Sequence, residues 1–420
     1  MTEKLFENPK TQHLRAIFLY GLMLGAVGLP IYLHAPKYFS DNHGASLALV
    51  GFIMLVLRIF DFIQDPLIGR FLRKTRFSSR CISFVGAFSM CLGLLALFAV
   101  QNEMLITIAW FSGALVLLFS GHSLLSIMIY AHSASSFDEE QQPKVAKYRE
   151  GGQLLGICLS AVAPTVLDSL TSVAFTVYAV LLCVIIIWGT LAIQNNWKDA
   201  AQFGTINDRL ALPDTKLRPM LLLGFTNAIP FAITSTLFLF FVEYVIGSST
   251  AAGPLLLLFF MSAVASVPVW SALVRQFPLS DVLSISMLAS ILVFVFTFSL
   301  GQNDLVFFGV VCVITGALAG ADITLLPVLY ISVVRKVQVN SKEAFGYWSL
   351  VAKMALAMAV GITLPSLDFA GFDPQNITKN GLLSLSIAYC LVPVLMKAAA
   401  IVLLRKVVVD QFNDSQGSIR

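Results

Sequence analysis

Charge is scarce in this sequence. Asp, Glu, Lys and Arg together make up 12% of the 420 residues, against about 25% in a typical soluble domain. So few charges cannot coat a water-facing globule, which argues against a soluble enzyme. Disorder is excluded from the other side, because apolar content is too high for a solvated chain. Cysteine is sparse and scattered: Cys81, Cys91, Cys158, Cys183, Cys312 and Cys390 all lie in apolar runs and form no CxxC pair. That pattern supports neither a metal cluster nor a disulfide framework, and reads as small buried hydrophobes. HExxH, GxSxG and a Cys/His ligand cluster are all missing, which leaves an intramembrane enzyme without a nucleophile, base or metal site. The polar start MTEKLFENPKTQHLR lacks the pattern of a cleaved signal peptide, so the first apolar run is expected to stay as a span.

What is abundant is apolar sequence. Hydrophobic residues make up 58% of the chain and mean hydropathy is +0.85. A membrane-crossing helix needs about 20 apolar residues, and continuous runs of that kind occur near 14–37, 46–72, 81–100, 105–135, 151–167, 172–195, 219–242, 252–274, 280–300, 305–334, 344–365 and 381–404. The runs do not alternate as barrel strands would. The expected fold is therefore an all-α, polytopic membrane protein with twelve transmembrane helices. The longest basic connection, 196–218, falls halfway. It splits the chain into an N-terminal six-helix bundle, 1–195, and a C-terminal one, 219–420, ending in a short tail, an arrangement common among transporters. Twenty Lys and Arg residues fall on one side of the runs, against two, Lys37 and Lys379, on the other. The positive-inside rule then places both termini in the cytoplasm. The net charge of +4 records this topology and does not point to nucleic acid.

A few charges remain inside the runs. Arg15, Arg70 and Lys397 are expected to snorkel to an interface. Arg58, Asp61, Asp65, Asp322 and Lys353 lie deeper, where a charge costs at least about 2.5–3.5 kcal/mol and normally faces a cavity or a partner. The sharpest motif is Arg58-Ile-Phe-Asp61-Phe-Ile-Gln-Asp65-Pro66-Leu-Ile-Gly69. Asp61 and Asp65 are four apart, so both carboxylates share one helical face. Two converging carboxylates suit a hard cation, and their repulsion makes the pair a proton-site candidate. The competing reading is a packing salt bridge between Arg58 and Asp61. Lys353 is expected to find its counter-charge in the second span, or else backbone carbonyls in its own half. Asp322 follows a glycine pattern suited to helix packing and divides between gating and structural pairing. His34, between Pro30 and Pro36, reads as a substrate contact or a packing histidine.

The second-run motif resembles the signature of the glycoside–pentoside–hexuronide:cation symporters, the melibiose permease group of the major facilitator superfamily. The resemblance extends back through Phe39-Ser-Asp41 and Gly44 to Gly51, and reappears at Tyr148-Arg149, at Ser349 to Lys353, at Gly361 and at Gly371-Phe372. It implies the major facilitator fold, no enzyme activity, no cofactor, and Na+ or H+ as coupling ion. It makes Asp61 and Asp65 the cation-site carboxylates, with Ser123 supplying a hydroxyl and Gln64 a further oxygen. Lys353 matches a lysine near the cation and sugar sites, and Arg149 an arginine linked to sugar recognition, against the plainer reading of an interfacial anchor. Trp348, Ser349, Tyr130, Ser126 and His34 complete the candidate substrate lining. The departures fall on the sugar half of the signature. Gly25 and Ser126 replace two acids, Met128 a proline and Tyr130 a tryptophan. The expectation is a monomeric, cation-coupled symporter of a small organic solute, in a bacterial inner membrane. The alternative is a carrier of lysolipid or another amphipath, since sodium-dependent lysophospholipid carriers are similar to the same group.

Overall fold

A computed structural model describes residues 11–43, 47–100, 108–197, 217–372 and 378–417. The described residues are overwhelmingly helical. In chain order the helices are α1 (Thr11–His43), α2 (Leu47–Lys74), α3 (Ser79–Phe98), α4 (Ile108–Ser136), α5 (Gln142–Asp168), α6 (Ala174–Ile193), α7 (Arg218–Phe240), α8 (Ala252–Leu273), α9 (Leu279–Thr297), α10 (Leu305–Val337), α11 (Ser341–Phe369), α12 (Lys379–Ser386) and α13 (Val392–Gly417). A π turn, Phe241–Ile246, extends α7, and another, Ile387–Leu391, joins α12 to α13 into one rod. Among the described residues ten rods are long and apolar enough to cross a membrane. With α1 and α2, of 33 and 28 residues, the rods number twelve. The proposed 196–218 linker falls mostly outside the described residues.

Exposed faces confirm the solvent these rods meet. On α3, Phe84, Val85, Phe88 and Leu92 point outward, and on α9 Ile285, Leu288 and Leu292 do the same. Apolar stripes of that extent are rare on soluble monomers and suit lipid. This is a multi-pass membrane protein.

Packing divides the chain into two compact units. The first comprises Met1–Ile206 together with Gln338–Ser349. It is held by close helix crossings. A Cβ added at Gly25 would collide with the carbonyl of Gln153 on α5, and one at Gly156 with the carbonyl of Leu22 on α1. Gly21 and Gly152 meet the partner helix in the same way, so α1 and α5 approach at backbone distance through paired small residues. The start of α11 joins this unit through an equally tight crossing. A Cβ at Gly346 would lie 2.8 Å from the Asp65 carbonyl, and one at Gly69 2.8 Å from that of Lys342. Arg73 reaches Glu343 at 3.1 Å, Arg70 donates to the Tyr347 hydroxyl at 2.9 Å, and Lys342 Nζ caps the Leu72 carbonyl at 3.2 Å. The sequence-based split assigns all of 219–420 to the later bundle. The packing instead divides α11 at Ser349, because these contacts are specific to its first turns.

The second unit comprises Asn207–Val337 and Leu350–Arg420. Its core gathers Phe238, Phe241, Phe308 and Tyr389, with the Phe241 and Tyr389 rings stacked at 4.1 Å. Both π turns meet at this stack. Gly247, at φ 82°, ends the α7 extension in a left-handed conformation that favours glycine.

The α1–α5 crossing yields a test. Gly25→Asp, which writes the acid of the sugar permeases into this position, must push α5 away and should cost about 1–3 kcal/mol. A thermal melt of the detergent-purified protein should show a clear drop in midpoint. Gly253→Ala, with open space at its Cβ, should leave the midpoint unchanged.

Candidate cation and substrate site

The candidate cation site is built on the middle of α2. Asp61 and Asp65 are both buried, at 4% and 0% exposure, as are Gln64 and Ser123. Residues 61, 64 and 65 share a face because three- and four-residue steps return to one side of a helix. The Asp61 Oδ1 accepts from Gln64 Nε2 at 2.8 Å and from Ser123 Oγ on α4 at 3.2 Å. Gln64 Oε1 in turn accepts from Ser120 Oγ at 2.8 Å. Asp65 is met from elsewhere, its Oδ2 accepting from Ser349 Oγ on α11 at 2.5 Å. Two carboxylates one turn apart therefore draw hydroxyls from two other helices. Hydroxyl, amide and carboxylate oxygens are the donor set that hard cations prefer. The structure brings together Asp61, Gln64, Asp65, Ser123 and Ser349. Ser120 was not anticipated. Its only sequence signal is its place three residues, nearly one turn, before Ser123. The side chain of Arg58 lies outside the described residues.

A second constellation sits beside it in the same unit. Arg149 is 1% exposed, and its Nε donates to Glu150 Oε1 at 2.8 Å. Its guanidinium lies 3.8 Å from the centroid of the Tyr130 ring. The Tyr130 hydroxyl donates to the same carboxylate at 2.9 Å, and its ring stacks on Phe345 at 5.2 Å. The two terminal nitrogens, Nη1 and Nη2, are buried with no hydrogen-bond partner. An arginine stacked on a ring keeps its fork planar and aimed, so Arg149 presents two donors that lack acceptors. As α5 begins at Gln142, with Pro143 in its first turn, Arg149 lies two turns inside a helix and is buried within its unit. Glu150 escaped sequence reading because 136–150 looked like a connection.

The remaining candidates are dispersed. His34 bonds the Ala161 carbonyl at 3.1 Å and packs edge-on against Phe175 and Tyr178, which ties α1 to α5 and α6. Ser126 on α4 and Trp348 on α11 are half-buried. Lys353 is half-buried in the second unit. Asp322, also in the second unit, is paired with Lys397, whose Nζ donates as well to Asn227 Oδ1 at 2.8 Å. This corrects the expectation that Lys397 snorkels. The lysine is 4% exposed, and its ammonium is held by partners on α10 and α7.

The profile of the MFS/sugar transport protein family matches residues 17–411. The chain belongs to that family, within the major facilitator superfamily. Solved transporters share its fold. A bacterial homologue of the iron transporter ferroportin aligns with a TM-score of 0.71 at 13% identity, covering 94% of this chain and 99% of that one. The E. coli fucose:proton symporter aligns at 0.67 and 15%, covering 94% and 97%. A human organic anion transporter aligns at 0.68 and 12%, covering 95% and 100%. At such identities the likeness concerns the fold of this major facilitator protein alone.

The Arg149–Glu150 pair gives the site's stability test. Glu150→Gln leaves a buried guanidinium without its counter-charge and should cost about 3–5 kcal/mol, seen as lost folded yield and a lowered melt. Replacing both, Arg149→Met with Glu150→Leu, should restore most of the melt.

Proposed function

We propose that this major facilitator protein is a secondary symporter that couples Na+ or H+ to uptake of a small organic solute by alternating access. The observation that carries the reading is the buried pair Asp61 and Asp65, with Ser123 and Gln64 on the first and Ser349 on the second. In this reading a cation replaces hydrogen-bond donors at the carboxylates. Ser123 turns its lone pairs inward and Gln64 rotates to present its Oε1. Neutralising the pair favours the solute-bound, transport-ready state. Lys353 and Arg58 belong to the charge network that senses this change. One positive charge crossing 100 mV is worth about 2.3 kcal/mol, which supports roughly fiftyfold accumulation. The protein is read as a monomer in a bacterial inner membrane, with both termini cytoplasmic, from the distribution of Lys and Arg.

Kinship with the melibiose permease group rests on the second-helix motif, and a glycoside-like solute is its simplest corollary. One observation favours the amphipathic alternative. The acids that would accept from sugar hydroxyls are replaced by Gly25 and Ser126, while Arg149 holds two buried, unpartnered donors. Such donors select an acceptor-rich or anionic head, as in a lysolipid or organic acid, and penalise its absence.

Proteoliposome uptake tests the coupling. Imposed sodium and proton gradients, each with a candidate panel of glycosides, organic acids and lysolipids, should reveal one driving ion. Asp61→Asn and Asp65→Asn should each reduce gradient-driven accumulation to the level of passive equilibration. Full cation-stimulated uptake in both variants would remove Asp61 and Asp65 from the mechanism.

A further inference from the structure

The second unit contains a cavity of about 750 Å³, counted with its mouth, among α7, α8, α9, α10 and α13. Its walls are largely aromatic: Phe231 and Phe238 from α7, Phe259 and Phe260 from α8, Phe294 from α9. Tyr389, on the π turn before α13, is also part of the wall. Widened π turns recur at functional sites. The Asp322–Lys397 pair forms part of the lining.

Four hydroxyls on the cavity wall share one property. Thr234 Oγ1 donates to the Pro230 carbonyl at 2.9 Å, Ser235 Oγ to that of Ala232 at 3.0 Å, Ser290 Oγ to that of Ser286 at 3.0 Å, and Thr315 Oγ1 to that of Val311 at 2.7 Å. A hydroxyl has a single proton. Each of these four spends it on its own helix and keeps only acceptor lone pairs for the cavity. Lys397 directs protons to Asp322 Oδ2 and to Asn227 Oδ1. Asp322 Oδ1 is buried with no donor at all. The phenylalanines add apolar, polarisable surface. Hydroxyl lone pairs, a half-satisfied carboxylate and an aromatic wall together suit a donor-bearing cation with an apolar body.

We propose that this cavity is a binding site for an organic ammonium compound, whose ammonium donates to Asp322 Oδ1 and the wall hydroxyls while its apolar body lies among the phenylalanines. The carboxylate then bridges two cations, Lys397 through Oδ2 and the ligand through Oδ1. The site uses no residue of the α2 carboxylate pair, so it stands or falls independently of the coupling mechanism.

Calorimetric titration of the purified full-length protein tests it with three probes that share one ring system and differ in the head: tryptamine, indole-3-ethanol and indole-3-acetate. Tryptamine is expected to bind at least about tenfold more tightly than indole-3-acetate, with the alcohol between them. Asp322→Asn should weaken tryptamine at least about tenfold. Should that variant fail to fold, Thr315→Val, equal in volume and lacking one acceptor, should weaken tryptamine about three- to tenfold while leaving the melt unchanged. Equal binding of the three probes, preference for the carboxylate, no binding of tryptamine, or full tryptamine affinity in the variants would each overturn the proposal.

Discussion

A charge taken out of water among apolar helices must be met by a partner, and this requirement organises both units. Moving a charged side chain to bilayer depth costs at least about 2.5–3.5 kcal/mol on insertion scales. Lipid is as apolar as a leucine core, so burial alone barely distinguishes one helix arrangement from another. The polar contacts do. Asp61 draws a hydroxyl from α4 and Asp65 one from α11. Glu150 on α5 collects both Arg149 and the Tyr130 hydroxyl of α4. Lys397 on α13 is fastened to α10 and α7 at once. Each contact pins neighbouring rods in register, and each is also a place where exchanging a partner for an ion or a ligand has a large energetic consequence.

Close backbone approach is the second constraint, and at Gly25 it competes with chemistry. The position that the resemblance to the melibiose permease group matches to an acid is here pressed against the Gln153 carbonyl. A side chain cannot stand there without opening the α1–α5 seam. Glycine at this position is therefore part of how α1 and α5 pack. Arg149 lies on that same α5, its own carbonyl against Gly21, so the tight seam that excludes an acid also holds the arginine's backbone in place.

The rods were legible in the sequence because apolar runs of membrane length have few alternative readings. The α2 pair was legible because two acids at a four-residue spacing stand out in an apolar run. What escaped has physical reasons. Lys397 looked able to reach an interface because the apolar run stops near residue 404, whereas its ammonium is met by Asp322 and Asn227, partners distant in sequence. Glu150 and Arg149 looked like loop charges because the first turns of α5 are polar, and helical continuity there depends on tertiary packing. The division of α11 at Ser349 was invisible because it arises from Gly69 meeting Gly346, a contact across more than 270 residues.

Two of the unpaired polar features among the described residues, one in each unit, have opposite chemistry. Arg149 holds two buried donors without acceptors, while Asp322 holds one buried acceptor, Oδ1, without a donor. An unmet buried group is costly, at about 1–3 kcal/mol and more when charged, and a chain has no stability reason to keep it. A carrier does, because a ligand that completes the group recovers that cost on binding and a ligand of the wrong polarity does not. On the two readings proposed above, the pair of groups would complement chemically distinct molecules.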